Sequence, residues 1–185
     1  NLGAATVDVS DWKMNDDTAT FSSAVARRGV TRVAAGKSVV FIEGNSAGTT
    51  DSALASEFVD NWFGGLAPAG LQIGFYGGSG IGLGTGGDAV AVFDGSGAQR
   101  ARVSFGDSTA EPNLASFDNA AGLDGVAISQ LSTVGVNGAF SIASSLGNTE
   151  IGSPGVIAAI PEPETYALFL AGLGLVGAVV GRRRR

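Results

Sequence analysis

Histidine and cysteine are both absent from the 185 residues, and that decides most of the possible chemistry before any motif is sought. Without them no Ser-His-Asp or Cys-His nucleophile can be assembled, nor a thiolate zinc site or an HExxH pair. What remains is oxygen chemistry. Asn15, Asp16 and Asp17 form one run, Asp88 and Asp94 bracket an apolar segment, and Asp118 and Asn119 precede Asp124. A hard cation such as calcium takes roughly six to eight oxygens, which makes Asp16, Asp17, Asp88 and Asp94 the candidate ligands. None of these runs has the spacing of an EF-hand or of a nonapeptide calcium repeat. Asp and Asn also favour turns through their own local hydrogen bonds, so the reading adopted is solvated turns, with no metal and no cofactor. Glycosidase chemistry needs two carboxyls at a set separation in a cleft, and the scattered acids define no such pair. A Ser-Lys site could draw only on Lys13 and Lys37. The expectation is a protein without enzymatic activity, with a carboxylate-based hydrolase as the reading to exclude. Trp62 and Tyr76 are the aromatic residues that could stack a sugar. The helical spacing around Trp62 places it on a buried face, which leaves Tyr76 pointing outward.

The glycine-rich stretch 77–87 holds seven glycines in eleven residues, and Gly82, Gly84 and Gly87 formally satisfy GxGxxG. A dinucleotide site needs those glycines to open a helix whose N-terminus holds the pyrophosphate. Here an alternating strand pattern follows instead, so the stretch reads as a loop between strands. The part of the chain before residue 161 carries seven basic against fifteen acidic residues, a net charge of −8. Phosphate-backbone binding needs clustered Lys and Arg, and no nucleic-acid partner is expected.

The last twenty-five residues are of a different kind. Pro161, Glu162 and Pro163 precede an apolar run made of Tyr166, Ala167, Leu168, Phe169, Leu170, Ala171, Gly172, Leu173, Gly174, Leu175, Val176, Gly177, Ala178, Val179 and Val180, and the chain closes on Arg182, Arg183, Arg184 and Arg185. As a helix, residues 166–181 span about 24 Å against a hydrocarbon core of about 30 Å. Arginine snorkelling and local bilayer thinning cover the difference, so a single transmembrane helix is predicted. Positive charge beside a membrane segment stays on the cytoplasmic side, which puts everything before Pro161 across the inner membrane. The tail resembles the PEP-CTERM sorting signal of Gram-negative bacteria, with the Pro-Glu-Pro triplet, the short Gly/Leu-rich helix and the basic end in the same order. The resemblance implies transient anchoring in the inner membrane and cleavage near the motif by an exosortase-type membrane protease. Release to the cell surface or extracellular polymer matrix would follow.

The preceding residues must then form one domain. About 160 residues suffice for a single core, and abundant Gly, Ser, Thr and Val point to short strands and many turns. Val7, Val9, Trp12 and Met14 face inward in an alternating stretch that turns at Ser10 and Asp11. Residues 30–33 and 38–43 are strand candidates, and Phe21 and Val25 lie in a short strand or covering loop. Leu54, Phe58 and Trp62, with Ala55 and Val59, define one apolar helical face that ends at Gly64 and Gly65, with Thr50 or Asp51 as cap. This helix reads as an insertion over an open end of the core. Leu71, Ile73 and Phe75 alternate as a strand, and residues 88–93 and 99–105 form the clearest hairpin, with Val103 and Phe105 inward. Residues 106–125 are poorly patterned around Phe117. A last hairpin is predicted from 131–136 and 139–142 through Asn137 and Gly138, and residues 144–160 read as a flexible linker.

The order of motifs resembles the lamin-tail domain, an immunoglobulin-like β-sandwich. The residues that carry the likeness are Asn1, Asp8-Val9-Ser10-Asp11-Trp12-Lys13-Met14-Asn15-Asp16, Ala35-Gly36-Lys37-Ser38-Val39-Val40, Gly87-Asp88-Ala89-Val90-Ala91-Val92-Phe93-Asp94 and Gly152-Ser153-Pro154-Gly155. The resemblance implies a mainly β fold over residues 1–155 with one inserted short helix. It also implies a strand ahead of Asn1, just as export implies a signal peptide, and neither is found in the sequence. Together these readings predict an exported surface or matrix protein without enzymatic activity. The alternative is an extracellular carbohydrate- or calcium-dependent binding module, with extracellular polysaccharide as its partner.

Overall fold

The structure is a computed structural model that describes residues 1–77, 81–108, 113–120, 128–144 and 147–157. Pro161, Glu162, Pro163, the apolar run 166–180, Arg182 to Arg185 and Asp124 lie outside the described residues. Within them the chain is mainly β, with eleven strands and one α-helix, an arrangement consistent with a β-sandwich.

The first strands follow the alternation of the sequence. β1 (Val7–Asp8) and β2 (Lys13–Asn15) flank the turn at Ser10 and Asp11, burying Val9 and Met14 while Val7 and Trp12 are half-buried. Asn15 ends β2 with 1% of its surface exposed. Its amide donates to Thr18 Oγ1, to the Thr20 carbonyl and to Ser23 Oγ at 2.8–3.1 Å. A buried polar group is tolerated when it is satisfied in this way, and this one folds the 3-10 turn Phe21–Ser23 onto the sheet. β3 (Val25–Ala26) pairs with β2, and β4 (Arg32–Val33) pairs with β1.

β7 (Asp88–Phe93) and β8 (Gln99–Phe105) form the hairpin that the sequence predicts, and with β2 and β3 they make a four-stranded antiparallel sheet in the order β3-β2-β7-β8. β7 is covered on both sides. Ala89, Ala91 and Phe93 are buried on one face, and Val90 on the other packs against the Met14, Tyr76 and Ile81 cluster. A second cluster, Val9, Val30 and Val33, lies beside Val7, Trp12 and Val39.

The helix α1 (Asp51–Phe63) is present and stops at Gly64, which takes the left-handed conformation at φ 59° and donates its N–H to the Asp60 carbonyl. Such a stop favours glycine because it lacks a Cβ. Thr50 occupies the N-cap without a side-chain cap bond. Its hydroxyl accepts from Asn45 N–H, and Asp51 is taken up by Arg28. The helix is not an insertion. β5 (Val40–Glu43) and β6 (Ile73–Tyr76) are parallel, and parallel neighbours require a crossover of a dozen or more residues, usually helical. α1 is that crossover.

The C-terminal half departs furthest from expectation. No hairpin joins 131–136 to 139–142. Asn137 and Gly138 do make the expected tight turn with positive φ values of 48° and 79°, closed by Ala139 N–H to the Val136 carbonyl at 2.8 Å. β10 (Phe140–Ala143) then pairs antiparallel with β11 (Thr149–Gly152), inside the stretch read as linker. β11 also pairs in parallel with β9 (Asn113–Ala115), giving the order β10-β11-β9. The linker reading failed because Thr149-Glu150-Ile151-Gly152 carries only one large apolar residue. Its strand state comes from two ladders of backbone hydrogen bonds, which leave no trace in composition. The parallel pairs β5-β6 and β9-β11 also separate this body from a sandwich of two purely antiparallel sheets.

Candidate functional site

Of the acidic candidates, Asp16, Asp88 and Asp94 spend their carboxylates on local hydrogen bonds, while exposed Asp17 is held through its backbone, its N–H on Asp88 and its carbonyl on Arg102. Asp88 and Asp94 sit at opposite ends of β7, about 20 Å apart at the usual rise of a strand, and do not share a cation. Asp88 accepts from Gly84 N–H and Ala89 N–H at 2.7 Å and from Asp17 N–H at 3.2 Å. These bonds, Gly84 first, hold its carboxyl below its ordinary range. They also explain the glycine-rich stretch, whose described part is a loop folded back on the start of β7 and does not open a helix. Asp16 closes a turn by accepting Thr18 N–H at 3.0 Å.

Asp94 organises the β7–β8 turn. Its Oδ1 accepts from Ser96 Oγ at 2.6 Å, Ser96 N–H at 2.9 Å and Ala98 N–H at 3.0 Å, and its Oδ2 accepts from Arg100 Nε at 2.6 Å. The Ser96 hydroxyl, followed by Arg100 and the two amides, outweighs burial and brings the Asp94 pKa down to about 2. Asp118, 2% exposed, accepts from Asn137 Nδ2 at 2.9 Å and from Ala120 N–H at 2.8 Å. It anchors the turn before β10. Among the described residues no three acidic side chains converge on a metal position.

The aromatic candidates exchange places. Tyr76, expected to point outward, is 8% exposed in the Met14 and Ile81 cluster. β6 runs through the interior, and burial raises the pKa of the phenol. Trp62 is half-buried. Its ring meets the edge of Phe140 at 5.6 Å and lies 6.4 Å from Phe58. The same ring lines an open crevice of about 220 Å³ with Ile42, Leu54, Phe58, Glu57 and Asn61. The helical face is thus split. Its inner edge packs on β10, and its outer edge leaves aromatic surface next to an amide and a carboxylate. Spacing alone marked the apolar face of α1 but gave no sign that its outer edge lines an open crevice among the described residues.

Trp12 packs on the Val9, Val30 and Val33 cluster as expected. Its ring also lies 5.3 Å from the guanidinium carbon of Arg27, which sits 4.6 Å from the Phe41 ring centre. The neighbouring Arg28 is fully employed. Nε and Nη2 grip the two oxygens of Asp51 at 2.6 and 2.7 Å, and Nη2 also reaches the Asn45 carbonyl at 2.8 Å. That bidentate pair raises the Arg28 pKa and lowers that of Asp51. It ties the start of α1 to the segment just after β3, where Arg28 also bridges to Phe75 of β6.

Comparison with known proteins assigns the C-terminal segment. Residues 159–185 match the PEP-CTERM protein-sorting motif, which indicates export and processing by exosortase, a membrane protease. No curated protein and no solved structure matches the chain. Among the described residues no helix is long and apolar enough to cross a membrane; the predicted membrane helix lies outside them.

Proposed function

We propose that this chain is a non-enzymatic protein of the cell surface or extracellular polymer, delivered there by its C-terminal sorting segment. The observation that carries the reading is the motif match at residues 159–185, which begins just after the last hydrogen bonds of the described residues. Val156 N–H bonds the Ser153 carbonyl, and Asn119 Nδ2 reaches the Val156 carbonyl at 3.2 Å. Cleavage near Pro161 therefore leaves every described strand in place. Proline fixes φ and disfavours helix at the residue before it, so a Pro-Glu-Pro sequence favours an extended backbone, the geometry a protease cleft accepts. Arg182 to Arg185 hold the precursor in the inner membrane with the motif at its outer face. The lamin-tail likeness of the body belongs to this proposal through the order of its motifs alone, since the parallel pairs β5-β6 and β9-β11 depart from the antiparallel sandwich it implies.

In cells with the sorting machinery, mass spectrometry of the extracellular form should find a C-terminus near Pro161 and no peptide from Tyr166 onward. Glu162→Ala should leave the full chain in the membrane fraction. Recovery of intact Arg185 from extracellular material would reduce the tail to a simple anchor.

The crevice beside Trp62 supports a second reading, a carbohydrate-binding module for extracellular polysaccharide. Half-exposed aromatic rings beside Asn61 and Glu57 offer apolar surface with polar handles, as sugars require. The acidic body favours a neutral glycan. Affinity electrophoresis in neutral polysaccharide gels should show retardation that Trp62→Ala abolishes and EDTA leaves unchanged. Equal mobility of the two proteins would remove this reading.

A further inference from the structure

Arg27 and Arg28 are adjacent in sequence and opposite in circumstance. Arg28 has a carboxylate. Arg27 has two aromatic rings, and its Nε and Nη2 are buried with no hydrogen-bond partner among the described residues. The ion pairs of those residues, Arg28–Asp51, Arg32–Asp8 and Arg100–Asp94, do not include it. Ring stacking favours the positive charge but leaves the edge N–H groups unsatisfied. Buried donors are nearly always paired, and a charged one left unpaired is costly. Arg27 also lines a cleft of about 260 Å³ whose other walls include Val7, Val9, Val33, Val39 and Val92. Among the described residues no acidic side chain lines that cleft.

We infer that this cleft binds a small amphiphilic carboxylate, with its aliphatic body among the valines and its carboxylate on the Arg27 guanidinium. Each part of the ligand answers a feature of the cleft. The guanidinium fork matches a carboxylate with two parallel N–H···O bonds. Among the described residues Arg27 is the one cationic side chain of the lining, and the ammonium of Asn1 is turned to the Lys37 carbonyl; one guanidinium suits one negative charge and not a polyanion, which the net charge of the body also repels. Asn1 also lines the cleft, but its side-chain amide is taken up by the Ala5 and Val33 carbonyls and by Gly3 N–H; the valine walls offer no polar partner, so the remainder of the ligand is apolar. A volume just below the usual range of small-molecule pockets fits a short chain and not a polymer. Nε and Nη2 are covered when the cleft is empty, so binding swings the guanidinium off the rings toward the cleft it already lines. The exchange replaces ring contacts with charge-assisted hydrogen bonds, the stronger of the two. Burial lowers the Arg27 pKa to about 10, which leaves the group cationic at neutral pH.

The test is isothermal titration of sodium octanoate and of octanol into the full chain, with melting temperature as a second readout. Octanoate should bind saturably at one site and raise the melting temperature, with octanol at least about tenfold weaker, the loss expected when a charge-assisted bond is missing. Arg27→Met keeps the apolar stem and should weaken octanoate about tenfold or more while leaving octanol unchanged. Arg27→Lys, which keeps the charge and loses the fork, should also weaken octanoate and serves if the methionine variant does not fold. Val39→Phe should block both ligands by filling the cleft. Equal affinity for octanoate and octanol, equal octanoate binding by the wild type and the Arg27 variants, or no saturable binding at millimolar octanoate would each overturn the inference.

Discussion

The sheets β3-β2-β7-β8 and β10-β11-β9 differ in how their strands are specified. In the first, the two longest strands are chain neighbours joined by a short turn, and β7 is an apolar run bounded by Asp88 and Asp94 that reads as a strand from the sequence. In the second, the central strand β11 pairs with β9 some thirty-six residues earlier, and its own residues carry almost no pattern. Each sheet joins a hairpin of chain neighbours to a distant strand, β2 on β7 in one and β9 on β11 in the other. Only the first hairpin shows its strands in residue type, and single-sequence reading is blind to pairing. That is why residues 88–105 were legible, while 149–152 looked like linker and 113–115 like unpatterned loop.

The sharpest way to break this comparison is to cut the chain. A protein ending at Asn148 loses β11, the strand that holds β9 and β10 together, and should show no cooperative melting transition. One ending at Ile157 keeps all described hydrogen bonds and should melt like the full chain. If the shorter protein also melts cooperatively at the same temperature, β11 is dispensable and the linker reading returns.

Trp12 probes the sheet that was legible. It packs on Val9, Val30 and Val33 but is only half-buried, so Trp12→Ala should cost about 2 to 3 kcal/mol, less than a fully buried aromatic would. Urea unfolding measures it, and a change under about 0.5 kcal/mol would show that the ring merely covers Arg27.

Gly138 probes the other sheet where its sequence did speak. Its φ of 79° belongs to the left-handed region, and a Cβ there would lie 2.7 Å from Val156 Cγ1. Gly138→Ala should cost about 1 to 2 kcal/mol by the backbone penalty alone, read as a lower urea midpoint at unchanged slope. A neutral substitution would show that the turn adjusts freely and does not set the register of β10.

The candidate site was legible in a similarly uneven way. The sorting segment carries its function in residue order, and Pro161, Glu162, Pro163 and the arginines could be read without any tertiary contact. Absent histidine and cysteine likewise narrowed the chemistry from composition alone. Arg27 was invisible, because nothing in the sequence distinguishes it from Arg28. Only their partners differ, and those arrive from Trp12, Phe41 and Asp51 through the fold.

The smallest effect separates the two hairpin turns by charge. The β7–β8 turn is held by the ionised Asp94 carboxylate, whereas the β10–β11 turn uses Ser144, whose hydroxyl accepts Asn148 N–H at 3.3 Å. Asp94 has a folded pKa of about 2 against about 3.9 unfolded. A depressed carboxylate contributes stability that is fully present above about pH 4 and is lost as pH falls toward 2. The wild type should therefore be more stable than Asp94→Asn at pH 7, and the two unfolding curves should converge between pH 4 and 2. Amide exchange should locate the loss. Protection of Ser96 and Ala98, whose N–H groups bond the carboxylate, should fall over that interval, while protection of Gly147, which donates to the Ser144 carbonyl at 3.0 Å, should change only with global stability. Parallel pH profiles for the two proteins would mean that Ser96 and Arg100 hold the turn without the charge, and the electrostatic distinction between the sheets would disappear.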